Sequence, residues 1–172
     1  NTAFELLMTE SAVEADWLAR RLEEKSVERR GIVDAILKTA EGKLDALKEA
    51  PKIIFEGSKE WPVGVLGIAA NRLMEKYHCP AFVYSEIPGM IKGSCRAPEG
   101  MDLIAFMQNV GDLFLDFGGH KLSGGFSLEP KNLLPLGSRL EELAESLIHE
   151  KGGASFEADA ELCLADVNKD TY

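Results

Sequence analysis

The chain has 172 residues with 45% hydrophobic and 28% charged side chains and a net charge of −10. That is the mix of a water-soluble globular protein with room for one substantial domain plus an appendage. It excludes a collagen-like or low-complexity chain, and no apolar run reaches the roughly 18 residues that span a bilayer.

No basic start leads into an apolar core and a cleavage site, so no secretory signal is expected. The chain opens on Asn1 rather than Met and reads as an excised piece of something longer. Cys79, Cys95 and Cys163 are odd in number and form no C-x-x-C pair. Neither a zinc site nor a disulfide framework follows, and three buried thiols in a reducing cytoplasm are the expectation.

Residues 1–10 (NTAFELLMTE) form a short apolar patch, and Thr9 or Ser11 suits the cap of a following helix. Val13, Trp17, Leu18 and Leu22 recur at helical spacing, and Ile32, Val33, Ile36, Leu37, Ala40, Leu44 and Leu47 continue it. Gly31, Gly42 and a break near Ser26–Arg29 predict two helices or one bent helix over most of residues 11–49. Such an arm either packs on the domain or connects it to another. After Pro51, Lys52–Gly57 (KIIFEG) predicts a buried strand. Val63–Tyr77 predicts a helix with Val65, Ile68, Ala69 and Leu73 facing the core, and Gly64 and Gly67 near its start allow close approach. Ala81–Ser85 and Met90–Arg96 predict a hairpin around Pro88-Gly89, and Asp102–Phe114 predicts a helix. Phe117–Leu128 (FGGHKLSGGFSL) predicts a glycine loop that leaves through a strand at Gly125–Leu128. Leu136–Glu150 predicts an amphipathic helix with Leu140, Leu143, Leu147 and Ile148 on one face. Gly152-Gly153 reads as a hinge, and residues 155–172 as an acidic edge strand leading out of the domain. Strands alternating with helices give an α/β class: a central mixed sheet with flanking helices, preceded by a long helical connector.

The charge is uneven. Residues 52–131 carry 8 Lys/Arg against 9 Asp/Glu, a balance of −1, whereas the two flanks carry 11 against 20, or −9. A near-neutral segment can hold phosphate through backbone N–H groups and a few placed cations, although not duplex DNA non-specifically. Three constellations qualify. Gly118-Gly119-His120, followed by Ser123-Gly124-Gly125, offers an anion nest and an imidazole donor, beyond what a turn histidine satisfied by local backbone would need. Lys92, Ser94 and Arg96 fall on one face of their strand, where a guanidinium fork and a hydroxyl suit a phosphodiester; a polar outer face would look the same. Trp61–Gly67 offers helix N–H groups, with Trp61 either stacking on a base or packing in the core. Asp112 and Asp116, four apart on one predicted helix, read as solvated charges, and nothing suggests the ligand set of a two-metal site.

Together these segments resemble the DHH-associated domain of the DHH phosphoesterase superfamily, and within it the RecJ-type single-stranded-DNA exonucleases. GGHKLSGGF matches the family's glycine-glycine-histidine, two variable residues, two small residues and a glycine. KGSCR matches its K-G-S-x-R strand, and WPVGVLGIAANRL its W-H-x-G-V-x-G-I-x-x-x-R-L segment. The opening NTAFELLMTE with its long helix resembles the connector between the two RecJ core domains. The resemblance covers residues 1–150. One departure is Pro62, where the family usually has histidine, so any contact of that side chain is lost or replaced.

The resemblance implies a connector over residues 1–50, a substrate-binding α/β domain over 51–152, and an outgoing segment over 153–172 toward a further domain, often an OB-fold. It implies a parent enzyme that hydrolyses single-stranded DNA 5′→3′ in repair and recombination, with Mn²⁺ or Mg²⁺ in a preceding DHH domain that this chain lacks. No catalytic residue and no metal is expected in the chain itself. Lys92, Ser94, Arg96 and His120 would grip phosphate, with Gly118, Gly119, Gly124 and Gly125 allowing close approach. Relatives that cleave short oligoribonucleotides or cyclic dinucleotides are the alternative, and a protein-interaction module without a nucleotide site is a third possibility.

Overall fold

A computed structural model of the chain describes residues 2–150, with side chains through residue 146. Cys163, the Gly152-Gly153 hinge, the segment 153–172 and the side chains of Leu147 and Ile148 lie outside the described residues.

The chain begins with two helices, α1 (Thr2–Met8) and α2 (Ala12–Leu44). The opening patch is thus itself a helix. Ser11 caps α2, its side chain accepting from the N–H of Glu14, as its place before the apolar period predicts. The helix is not interrupted near Ser26–Arg29, and α2 runs unbroken for 33 residues. Gly31 and Gly42 each cost roughly 1 kcal/mol of helix propensity. The C-terminal part of α2 outweighs that cost by burying Val33, Ile36, Ala40 and Leu44. The stretch before it buries Leu18 but is otherwise mostly charged, and the ion pairs Arg20–Asp16 and Arg30–Glu23 lie along it. Val13 and Trp17 are exposed despite their helical spacing; Trp17 is 54% exposed, with the Arg21 guanidinium 5.2 Å from its ring.

Five strands follow: β1 (Ile54–Gly57), β2 (Ala81–Ile87), β3 (Met90–Arg96), β4 (Asp116–His120) and β5 (Ser123–Leu128). They form one mixed sheet in the order β1-β2-β3-β5-β4. β1 and β2 are parallel, joined by helix α3 (Leu66–Tyr77), and every other pair is antiparallel. The β2–β3 hairpin turns at Pro88-Gly89, with Gly89 at φ 77°, as the dipeptide predicts. Helices α4 (Leu103–Gln108) and α5 (Leu133–Glu150) complete the domain.

Two further segments depart from expectation. The segment Phe117–Leu128 is not a loop but the β4–β5 hairpin, paired from Asp116↔Ser127 to His120↔Ser123. Glycine's freedom of φ suggests irregular backbone, yet the alternating Phe126 and Leu128 are buried and pull the segment into the sheet. The helix expected over Asp102–Phe114 ends at Gln108, where the Asn109 amide donates to the carbonyls of Ala105 and Phe106. A 3-10 turn over Gly111–Leu113 follows, so Asp112 and Asp116 do not share a helix.

Two cores lie on opposite faces of the sheet. On one, α2 and α3 pack Ile36, Leu66, Ala69 and Leu73 onto Ile54, Ala81 and Val83. Trp61 is buried in this core, as its packing alternative has it, whereas Ile68 is 39% exposed and lies outside it. On the other face, α4 and α5 pack Leu103, Met107, Leu136 and Leu140 onto Phe82, Cys95, Phe126 and Leu128. The first pair of helices reaches only as far as β3. The same face of β5 and β4 therefore has no helix above it among the described residues.

Candidate nucleic-acid interface

The strand register decides what that uncovered face carries. Residues directly opposite in antiparallel pairs share a face, and so do residues two apart along a strand. Arg96 pairs with Ser123, which pairs with His120; Ser94 pairs with Gly125, which pairs with Gly118; Lys92 pairs with Ser127, which pairs with Asp116. Three parallel rows thus cross β3, β5 and β4, each about 10 Å wide at a strand spacing near 4.8 Å. The first row holds a guanidinium, a hydroxyl and an imidazole. The second holds a hydroxyl and two glycines. The third sets the Lys92 ammonium across from the Asp116 carboxylate, so its net charge is nil.

The alternation also separates the glycines. Gly118 and Gly125 lie in the open row, and both are exposed. A Cβ on Gly118 would meet nothing within 4 Å, and one on Gly125 only the Gly93 carbonyl at 3.6 Å. The fold leaves both sites free for a side chain. Gly119 and Gly124 point to the opposite face. Gly119 holds φ 150°, and its Cβ would collide with the Ser123 carbonyl; a Cβ on Gly124 would stand 3.1 Å from the Cys95 sulfur. Their glycine identity is explained by packing and backbone conformation, independently of any ligand.

Some of the described cations are paired with carboxylates and others are not. Arg20, Arg30, Lys43, Lys52, Arg72, Lys76 and Lys131 each form an ion pair. Lys92, Arg96 and His120 form none among the described residues. Arg96 is half-buried, and its Nη1 donates to the Cys95 carbonyl at 2.8 Å. That bond orients the fork, and the remaining N–H groups are left to donate. The start of α3 stands over this residue: a Cβ on Gly67 would lie 3.0 Å from the Arg96 Nη2. Pro62 is exposed just before the 3-10 turn Val63–Val65 that leads into α3. Gly64 in that turn faces open space. His120 is at the hairpin tip, where it also borders a shallow cleft with Asp102, Gln108 and Lys121.

Sequence reasoning missed one part of this geometry: a second cleft beyond Arg96, reached along α3 at Asn71, Glu75 and His78. These residues carry no motif, and only the packing of α3 on β3 brings them to the strand end.

The donor set is one of cations, hydroxyls and backbone amides. Among the described residues no group of three or more His, Cys, Asp or Glu could hold a metal ion. Cys79 and Cys95 are free and buried, and burial pushes both thiols up to about 12, so neither is a nucleophile at neutral pH. No helix among the described residues is long and apolar enough to cross a membrane.

The family model described as the DHHA1 domain matches residues 50–150, more than half of the chain. The chain belongs to the DHHA1 domain family. The chain is 30% identical over 151 residues to the single-stranded-DNA-specific exonuclease RecJ of Bacillus subtilis, covering 87% of the chain and 19% of that protein. It is 29% identical over 142 residues to RecJ of Thermus thermophilus, covering 83% and 20%. Among solved structures, RecJ of Thermus thermophilus in complex with Mg²⁺ superposes with a TM-score of 0.74 at 28% identity, over 84% of the chain and 22% of that structure. Its Mn²⁺ complex gives the same TM-score. The chain thus spans about a fifth of the length of the relatives it matches. The mixed sheet, its flanking helices and the long N-terminal helix match the corresponding portion of RecJ, so the DHHA1 domain is of the RecJ type.

Proposed function

We propose that this DHHA1 domain is the substrate-binding half of a RecJ-like exonuclease that degrades single-stranded DNA 5′→3′ in repair and recombination. Residues 51–152 hold the strand. Residues 1–50 connect to a catalytic domain that holds Mg²⁺ or Mn²⁺, and residues 153–172 lead toward a further domain. The two buried free thiols suit a reducing cytoplasm.

The observation that carries this reading is the pairing of vacant glycines with unpaired donors. Gly118 and Gly125 are glycines where the fold has room for a side chain, and they lie in one row with Ser94. Arg96, Ser123 and His120 form the next row. A flat floor beside a guanidinium, two hydroxyls and an imidazole suits a sugar-phosphate backbone lying on the sheet. Ser94, Arg96 and His120 then donate to phosphate oxygens, and Lys92 adds a partly neutralised charge at the far row. Gly119 and Gly124 contribute through backbone shape. The domain positions a phosphate and leaves the cutting to its partner, a proximity contribution to catalysis.

Fluorescence anisotropy with 5′-phosphorylated single strands of increasing length, over a range of salt, tests this. Two or three phosphate contacts predict a slope of log affinity on log salt of about −1.4 to −2. Affinity that rises from mononucleotide to oligonucleotide favours the exonuclease over relatives acting on dinucleotides. Arg96→Ala and His120→Ala should each weaken binding, and in the full-length enzyme should act mainly through substrate binding. Unchanged affinity and activity in both variants would remove the assignment, and binding insensitive to salt would favour a protein-interaction module.

A further inference from the structure

The first row does not stop at Arg96. Past it, between the C-terminal half of α3 and the end of β3, opens a cleft of about 560 Å³. Arg96 and Ser123 both line it, so the cleft and the proposed phosphate row share two residues. Met74, Pro98 and Leu122 give it an apolar wall, while Asn71, Glu75 and His78 give it a polar edge.

We propose that this cleft is a nucleobase subsite, taking the base of the nucleotide whose phosphate Arg96 holds. The inference rests on the phosphate-binding reading above and extends it to a new set of residues. Its size is that of a small-molecule pocket, and a mainly apolar lining with a few placed polar groups is the usual make-up of one. Charge decides between base and backbone as the occupant. Glu75 and Glu99 both line the cleft, so a second phosphate entering it would meet two carboxylates, whereas a neutral base would not. The carboxylates also accept from exocyclic amines of bases, as acidic side chains do from the amino group of cytosine. Glu75 is already oriented: its Oε1 accepts from the Asn71 amide at 2.8 Å, which leaves the other oxygen to a ligand. His78, the C-cap of α3 in a left-handed conformation at φ 53°, also lines the cleft.

The test uses the 172-residue chain and a 5′-phosphorylated oligodeoxycytidylate hexamer, compared with the same hexamer whose first residue is abasic. The abasic strand should bind roughly tenfold more weakly, the worth of removing about 60 Å² of base surface from water, with the same salt slope. Leu122→Ala and Asn71→Ala should bring the intact strand toward the abasic value and leave the abasic strand unaffected. Leu122 is 41% exposed and contributes its backbone carbonyl, not its side chain, to the hydrogen bond from Ala97, so the fold tolerates the change. Equal affinity for intact and abasic strands, with binding still salt-sensitive and lost in Arg96→Ala, would overturn the base subsite and leave the phosphate reading standing. Absence of salt-sensitive binding to either strand would overturn both.

Discussion

A Cβ on Gly67 would stand 3.0 Å from Nη2 of Arg96 and 3.6 Å from Oγ of Ser94. The first turn of α3 is therefore pressed against the two strand residues proposed to hold phosphate, and glycine makes room for the guanidinium. In Gly67→Ala the added methyl meets the end of a flexible side chain, so the fold adapts. Alanine in a helix also recovers roughly 1 kcal/mol of propensity. Thermal unfolding should show stability unchanged or slightly raised, while affinity for single strands falls by roughly tenfold, the worth of one displaced charge-assisted hydrogen bond. Unaltered affinity would mean that Arg96 does not bind from the position it holds in this fold.

Gly118 and Gly119 are neighbours with opposite roles, and alanine separates them. Gly118→Ala fills open space on the uncovered face and should change stability by no more than about 0.5 kcal/mol. Its methyl occupies the floor of the proposed site, so anisotropy should report weaker strand binding. Gly119→Ala places a Cβ on a backbone at φ 150° and against the Ser123 carbonyl. It should cost about 1–3 kcal/mol or more in denaturant unfolding. A reversal of the two stability effects would contradict the register of β4.

The Phe126 ring lies across Gly93 on the covered face, where any Cβ would run into it. The ring also packs against Phe82 and Phe114, at centroid separations of 5.7 and 5.6 Å. Phe126→Ala should cost about 3–5 kcal/mol and Gly93→Ala about 1–3 kcal/mol, both read by urea midpoints. Each acts on a strand of the proposed site, so binding should fall only as far as the folded fraction does.

Burial raises Cys79 and Cys95 from an ordinary 9.0 to about 12. The folded state therefore binds protons that the unfolded chain releases between about 9 and about 12. The associated stability is present in full below about 9 and is lost as pH rises toward about 12. Tyr77 and Tyr84 are also raised, each chiefly by burial, and add to the same alkaline decline. Denaturant unfolding from about pH 9 upward should show a falling midpoint. In a Cys163→Ser variant the two remaining thiols should be inert to a disulfide reagent until the chain unfolds.

Much of this was legible in the sequence because it depends on local chemistry. The strand Met90–Arg96 follows from the Pro88-Gly89 turn, which makes it the hairpin partner of Ala81–Ser85, and side-chain alternation already puts Lys92, Ser94 and Arg96 on one face. The Ser11 cap is equally local, and so is Leu140 on the buried face of α5, where Leu143 is half-buried and Leu136 and Ala144 join it in the core. The segment Phe117–Leu128 was harder. Its glycines indicate permissive backbone, and whether such a backbone becomes loop or strand depends on the neighbour it pairs with. Ile68 and Trp17 mark the same limit: both fit an apolar helical stripe, but the stripe is buried only where another element covers it.

By itself the sequence determined the α/β class, most of its helices and strands, and the residue types fit to bind phosphate, because propensity, capping and side-chain alternation act within a few residues. The tertiary structure alone decided how those residues meet. Strand pairing set Arg96, Ser123 and His120 in one row and turned Gly118 and Gly125 outward but Gly119 and Gly124 inward. The packing of α3 on β3 left the face over β5 and β4 open and formed the cleft beyond Arg96. Register and layer packing join segments far apart in the chain, and their energy comes from burying both faces of the sheet at once.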